Sequence, residues 1–234
     1  MLSTLYSDII YRPLLNLLVF FYNIFPGHDI GLVIVFLTIL IRLILAPSFH
    51  KSLKSQKAMN DLQPKLNDLR EKYKNDKEGQ AKAMMDLYKE HKINPLGSCL
   101  PLLLQLPVLI ALYQVFNKAL NNHLSGLYSF VHQPEFINPK FLGLVDLSKP
   151  SLAFGIVAGL AQFWQSKMMM PNASGQQDTT AKAMQLQTTY VLPVISVIIA
   201  IKLPAGLPLY WIVTTLFAVA QQYYIIKKHP QPKN

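Results

Sequence analysis

An apolar run at residues 31–46 contains one charged residue, Arg42. Burying a guanidinium in hydrocarbon costs at least about 2.5 kcal/mol, so an arginine kept there is a candidate functional residue. A second interpretation places Arg42 near a helix end, where its side chain extends to the lipid headgroups. The run itself leaves both interpretations open.

Composition indicates an integral membrane protein. Of the 234 residues, 51% are hydrophobic and 15% are charged, which is too apolar for a soluble domain of this size. Five segments are long and apolar enough to span a bilayer, whereas residues 14–25 are too short and predict an interfacial helix. We therefore expect an all-α integral membrane fold with five transmembrane helices, an N-terminal interfacial helix and a cytoplasmic helical hairpin.

The positions of Lys and Arg predict the orientation. Residues 51–92 contain ten Lys and one Arg, and basic residues favour the cytoplasmic side. An odd number of spans then places the N-terminus outside and the C-terminus in the cytoplasm. The expected segments are an extracytoplasmic interfacial segment 1–27, transmembrane helices 28–50, 94–117, 151–170, 186–203 and 204–226, a basic cytoplasmic hairpin 51–93, an extracytoplasmic loop 118–150, a cytoplasmic loop 171–185 and a cytoplasmic tail 227–234.

Two details refine these segments. Pro204 and Pro208 predict a tight turn between the last two helices, which would run antiparallel. Pro64 predicts a kink or a boundary within the first arm of the hairpin. The charged faces of the hairpin are either simply solvated or dock onto anionic headgroups, a ribosome or a targeting partner. The net charge of +10 follows mostly from the topological bias, so we expect no specific nucleic-acid binding.

The sequence shows no catalytic constellation. Its six histidines are scattered without metal-ligand spacing, and Cys99 is the only cysteine. No predicted span carries Asp or Glu in its interior, and no Gly-rich phosphate loop is present. We therefore expect no catalytic residues, no metal, no cofactor and no enzymatic activity.

Neutral polar residues in the predicted spans accompany Arg42. Each of them alone is best explained by hydrogen bonding between helices, but together they predict a polar cavity around the arginine. Arg42 precedes Pro47 by five residues and lies before the basic segment, which places it in the inner leaflet. Water from the cytoplasm would reach it through an inward-open groove. These residues are Thr38, Gln105, Gln162, Gln165, Thr214, Thr215, Gln221 and Gln222, with Trp211 beside them.

Three stretches resemble the YidC/Oxa/Alb family of membrane-protein insertases. They are residues 94–116, residues 203–222, and the pattern that contains Thr38, Arg42 and Pro47. The hairpin sequence at residues 62–65 (LQPK) adds to the resemblance. The chain departs from large Gram-negative members, which have an additional first span and a periplasmic β-domain, and from Gram-positive members with a lipoprotein cysteine. No transit peptide is recognisable, so we expect a bacterial plasma membrane.

The resemblance implies an insertase and chaperone with a hydrophilic groove, open to cytoplasm and lipid and closed outside. Arg42 matches the groove arginine, and Thr38, Gln162 and Trp211 match positions that line or border the groove. Gln105, Thr214 and Thr215 are further candidates. Spans three and five would form an apolar slide for the client.

The implied clients are nascent membrane proteins. Candidate partners are the ribosome, the signal recognition particle or its receptor, the Sec translocon and anionic lipids. Two alternatives stay open: a small-anion transporter that uses Arg42, and a membrane scaffold that presents the cytoplasmic hairpin.

Overall fold

The computed structural model describes residues 2–94, 100–120, 124–168, 183 and 186–228, which are mostly helical. The predicted loop 171–185, apart from Ala183, most of the tail 227–234, and Cys99 lie outside the described residues. The helices are α1 (Leu2–Tyr6), which continues through a π-helical turn (Ser7–Tyr11) into α2 (Arg12–Ile24), then α3 (Ile30–Asp61), α4 (Gln63–Lys72), α5 (Lys77–Glu90), α6 (Leu100–Leu120), α7 (Leu152–Met168), α8 (Leu192–Ala200), preceded by a π-helical turn (Gln187–Val191), and α9 (Gly206–Lys228).

The prediction of an all-α fold is confirmed to the extent that the chain is mostly helical, but the fold is not purely α. Two short strands, β1 (Lys140–Phe141) and β2 (Val145–Asp146), pair antiparallel within the predicted extracytoplasmic loop. Positive φ angles at Leu142 and Gly143 turn the chain back between them. A two-residue strand is too short for an alternating pattern, so neither strand could be predicted from the sequence.

Two of the described helices, α3 and α9, are long and apolar enough to cross a bilayer. The predicted count of five spans therefore remains a prediction. Helix α3 runs for 32 residues with Pro47 inside it, and so continues beyond residue 50, where the first span was expected to end. The point at which α3 leaves the membrane also remains a prediction.

Local sequence explains where α3 and its neighbours begin and end. The Asp29 carboxylate accepts hydrogen bonds from the backbone N–H groups of Gly31 (2.8 Å) and Leu32 (3.1 Å), which caps α3. Pro64 lies in the first turn of α4, where a backbone N–H has no partner within the helix, so a proline costs no helical hydrogen bond there. The predicted boundary at Pro64 is therefore confirmed. Asp76 caps α5 in the same way through Gly79 N–H (2.9 Å).

One hydrophobic core joins α2, α3, α6 and the start of α9. Its side chains interdigitate between helices that are each apolar on the facing side. The loop after α6 closes this core with Ile137 and Leu147, both fully buried. The largest fully buried helix residues of this core are Leu15, Leu18, Ile30, Ile34, Leu37 and Leu112.

Helix α7 lies between α8 and α9 and packs extensively against both. We call residues 187–201, which include the π-helical turn and α8, the α8 segment. A Cβ atom added at Gly155 would overlap Ile201, and one added at Gly159 would overlap Val197, so the two glycines let α7 and the α8 segment approach closely. The short connection predicted around Pro204 is confirmed. The helices that it joins do not form a packed pair, because α7 separates them.

Candidate functional site

Arg42 lies on α3 and points into the helical bundle, with only 6% of its surface exposed. Its Nη2 atom donates a hydrogen bond to Oε1 of Gln105 on α6, at 3.3 Å. The guanidinium carbon lies 4.4 Å from the ring centroid of Phe49, within the range of a cation–π contact. A side chain that extended to the headgroups would be exposed, so this geometry favours the interpretation of Arg42 as an interior residue.

The guanidinium of Arg42 contacts neutral side chains. Among the described residues, no carboxylate lies within ion-pair distance of it. Gln105 in turn donates through Nε2 to the hydroxyl of Tyr210 on α9. A polar chain therefore joins α3, α6 and α9 inside the bundle, and its one charge has no counter-charge among the described residues.

A second polar contact joins α9 to α7. Nε1 of Trp211 donates to Oε1 of Gln162 at 3.0 Å. Because Trp211 follows Tyr210 in the sequence, neighbouring residues of α9 hold both contacts. The structure thus brings four of the seven predicted site residues, Arg42, Gln105, Gln162 and Trp211, into two linked pairs around α9.

The three threonines of the predicted site differ in their hydrogen bonding. The Thr38 hydroxyl donates to the Ile34 carbonyl of its own helix at 2.6 Å, and no hydrogen bond between Thr38 and Arg42 is found among the described residues. Thr214 and Thr215 are both buried on α9. In the described structure Thr214 Oγ1 has no hydrogen-bond partner.

Two glutamines near the end of α9 also have buried polar atoms without a hydrogen-bond partner in the part of the chain that the structure describes. The Oε1 atoms of Gln221 and Gln222 are buried, and neither has a partner among the described residues. They follow Thr214 by seven and eight residues, which places all three on one side of the helix. Buried polar atoms are rarely left unsatisfied, so this side of α9 offers acceptors to water or to the polar groups of a bound chain.

Sequence reasoning missed two residues of the site. Tyr210 was overlooked although a tyrosine in an apolar helix usually finds a partner for its hydroxyl. Phe49 could not be identified as a site residue from the sequence, because an aromatic residue in an apolar stretch is most often part of the hydrophobic core. Its role depends on lying seven residues, about two turns, after Arg42 on the same side of α3.

Comparisons with known proteins agree with this architecture. Residues 20–232 match the family model described as 60Kd inner membrane protein. The chain is 37% identical over 196 residues to the membrane protein insertase YidC of Clostridium tetani, covering 84% of this chain and 81% of that protein. It is 38% identical over 221 residues to the membrane protein insertase YidC of Geotalea daltonii, covering 94% of this chain and 37% of that protein.

A crystal structure of an active YidC insertase, with its first transmembrane domain resolved, shares the fold. Its TM-score is 0.59 at 24% sequence identity, and the match covers 94% of this chain and 46% of that one. The chain spans little more than a third of the length of the Geotalea relative, but most of the length of the Clostridium relative. The resemblance seen in the sequence is therefore confirmed, and the chain belongs to the 60Kd inner membrane protein family, which includes the YidC proteins.

Proposed function

We propose that this chain is a membrane-protein insertase that guides apolar segments of nascent membrane proteins into the bilayer, without nucleotide hydrolysis. One observation carries the proposal: Arg42 is buried in an apolar helix with neutral partners only, among the described residues. A charge costs free energy in such a place, and a neutral pocket that still holds it can receive an acidic group from another chain. The relatives named membrane protein insertase support the same function.

The proposed topology has five spans, formed by α3, α6, α7, the α8 segment and α9. The N-terminus lies outside and the C-terminus in the bacterial cytoplasm, because the basic residues of α4 and α5 favour the cytoplasmic side. With this orientation Arg42 lies about 18 Å along α3 from Ile30, which is past the middle of a hydrocarbon core of about 30 Å. Arg42 is then closer to the cytoplasm than to the outside.

In the proposed mechanism an acidic group of the client replaces Gln105 at the guanidinium. The Arg42–Gln105 hydrogen bond is long, at 3.3 Å, whereas charge-assisted bonds between guanidinium and carboxylate are typically about 2.8 Å and stronger. The hydrophilic tail or short loop of the client is thereby held in the polar groove. Its apolar segment meanwhile moves into lipid, which favours release by about 0.8 kcal/mol per buried CH₂ group.

Access to Arg42 requires a local opening, because the guanidinium is closed off in the described conformation. Helix α9 packs along α3 and α7, whereas α6 has much smaller contacts with α3 and α9 over the described residues. We propose that the part of α6 around Gln105 moves away from these helices, while its later turns, which include Leu112 and Val115, stay in the core. This movement breaks the two hydrogen bonds of Gln105 and leaves the α3, α9 and α7 unit, with its Trp211–Gln162 contact, in place.

The test is insertion by the purified full chain in proteoliposomes, measured as protease protection of a single-span client with an acidic translocated tail. We expect Arg42→Ala to reduce the insertion rate at least about tenfold, a loss of the size that one charged hydrogen bond contributes. Arg70→Ala makes the same change of charge in α4 and is expected to insert normally. For a client with a neutral tail, Arg42→Ala should reduce the insertion rate by a smaller factor.

Unchanged insertion by Arg42→Ala would remove Arg42 from the mechanism. Saturable uptake of a small anion, with no insertion, would instead favour the transporter. Repeating the assay with and without Sec components separates independent insertion from action beside the translocon. The ribosome and the signal recognition particle remain proposed partners, to be tested by their effect on the same rate.

A further inference from the structure

The turn between β1 and β2 exposes two leucines from a well-defined backbone. Leu142 is 58% exposed and Leu144 is 84% exposed. Leu142 and Gly143 have φ angles of 51° and 72°, and Leu144 N–H donates to the Phe141 carbonyl at 3.0 Å. Consecutive positive φ angles are typical of a type I′ turn, for which Asn-Gly is the preferred pair. Leucine is disfavoured at the first of these positions, so its presence there calls for a reason beyond the turn itself.

The turn is fixed to the beginning of α3. Leu142 N–H donates to Oδ2 of Asp29 at 2.6 Å, the same carboxylate whose other oxygen caps α3. The Phe141 ring lies directly against the first turn of α3, where a Cβ atom added at Gly31 would overlap it. These contacts hold Leu142 and Leu144 at a set position relative to the start of α3.

The turn also lies beside the beginning of α7. The rings of Phe141 and Phe154 have centroids 6.4 Å apart. Both α3 and α7 expose large apolar side chains from their first turns onward, at the surface that faces lipid in a membrane-spanning bundle. On α3 these are Leu32, Phe36 and Ile39, and on α7 they are Leu152, Ile156 and Leu160.

We propose that Leu142 and Leu144 insert into the boundary between headgroups and acyl chains, in the leaflet where α3 and α7 begin. Lipid is favoured as the occupant because the two leucines continue the apolar surfaces of both helices at their ends. Beside them, the exposed Lys140 carries a charge that complements lipid phosphates, whereas the exposed Lys149 pairs with Asp146 at 3.4 Å. Docking of the turn holds this end of the bundle at a fixed depth.

The test places an environment-sensitive fluorophore on the full chain in lipid vesicles. Cys99→Ser removes the native thiol, and Leu144→Cys provides the labelling site. Gln133→Cys, an exposed polar position in the same loop, is the matched control. We expect the label at position 144 to show blue-shifted emission and quenching by lipid-borne quenchers at a depth of about 5–10 Å, and the label at 133 to show neither.

A second variant tests the contribution of the neighbouring leucine. Adding Leu142→Asp to the chain labelled at 144 should reduce the lipid quenching, because a carboxylate opposes insertion of the turn. Emission like that of the label at 133, with equal quenching by aqueous iodide, would overturn the proposal. Blue-shifted emission without lipid quenching would also overturn it, since the turn would then be covered by protein.

Discussion

At the end of the bundle where α3 begins, polar side chains bind the backbone of a loop, whereas around Arg42 most of them bind other side chains or have no partner among the described residues. Asn16 accepts from Tyr128 N–H at 2.6 Å, and the Tyr22 hydroxyl accepts from Asn138 N–H at 2.9 Å. Together with Asp29, these side chains fasten the loop after α6 along α2 and over the beginning of α3.

The difference has an energetic meaning. Bonds to a fixed backbone, above a core of fully buried leucines, are lost only when that end of the bundle unfolds. The hydrogen bonds of Gln105 join two side chains on different helices and can be exchanged for bonds to another chain. One end of the molecule is therefore fastened to the backbone of a loop, whereas the hydrogen bonds around Arg42 are those that the proposed mechanism exchanges.

The largest effect on stability is expected at the end of the bundle where α3 begins. Leu37→Ala removes a side chain that is 1% exposed in the core between α3 and its neighbours, and should lower the free energy of unfolding by about 2–5 kcal/mol. Leu43→Ala, on the same helix and 57% exposed, should change it by less than about 1 kcal/mol. Denaturant unfolding in a mild detergent measures both. Equal losses would show that this end is no better packed than the surface.

An intermediate effect is expected where Asp29 joins α3 to the turn. Asp29→Ala removes the helix cap and the bond to Leu142, and should cost about 1–2 kcal/mol of unfolding free energy. Asp29→Asn keeps a capping oxygen and should cost clearly less. Thermal unfolding of the two variants makes the comparison. If Asp29→Ala were as stable as the parent, the loop would not be fastened through this carboxylate.

The smallest effect, of opposite sign, is expected at Thr214, which lies one turn after Tyr210 on α9. Thr214→Val replaces a buried hydroxyl without a partner in the described structure by an apolar group of the same shape, so stability should stay equal or rise by up to about 1 kcal/mol. Insertion should nevertheless fall, because the proposed groove loses a polar acceptor. Thr38→Val is the matched control: its hydroxyl is hydrogen-bonded, so stability should fall slightly. Destabilisation by Thr214→Val would contradict the idea that this side of α9 is kept unsatisfied for function.

The sequence predicted those features that depend on local composition. A single charge in an apolar run identified Arg42, and a proline in a first turn marked the start of α4. The partner of Thr38 was missed although the carbonyl four residues earlier is always available to a helical threonine. The capping role of Asp29 was also readable from its place just before an apolar run.

Other features depend on which helices become neighbours, and no periodicity encodes that. Tyr210 joins the Arg42 chain only because α9 lies beside α6, and Gly159 matters only because α7 packs against Val197. The crossing of the loop over α2 and α3 likewise rests on contacts between residues more than a hundred positions apart.

The most direct measurement asks whether a client passes this interior. A photoreactive phenylalanine derivative replaces Trp211, and the same derivative at Tyr223, an exposed aromatic residue of α9, is the matched control. During insertion of a client with an acidic tail, the proposed function predicts adducts with that tail from position 211 and far fewer from position 223. Arg42→Ala should abolish the adducts from position 211. Tail adducts that form equally from both positions, or that persist without Arg42, would contradict the proposal that the polar interior around Arg42 carries the client.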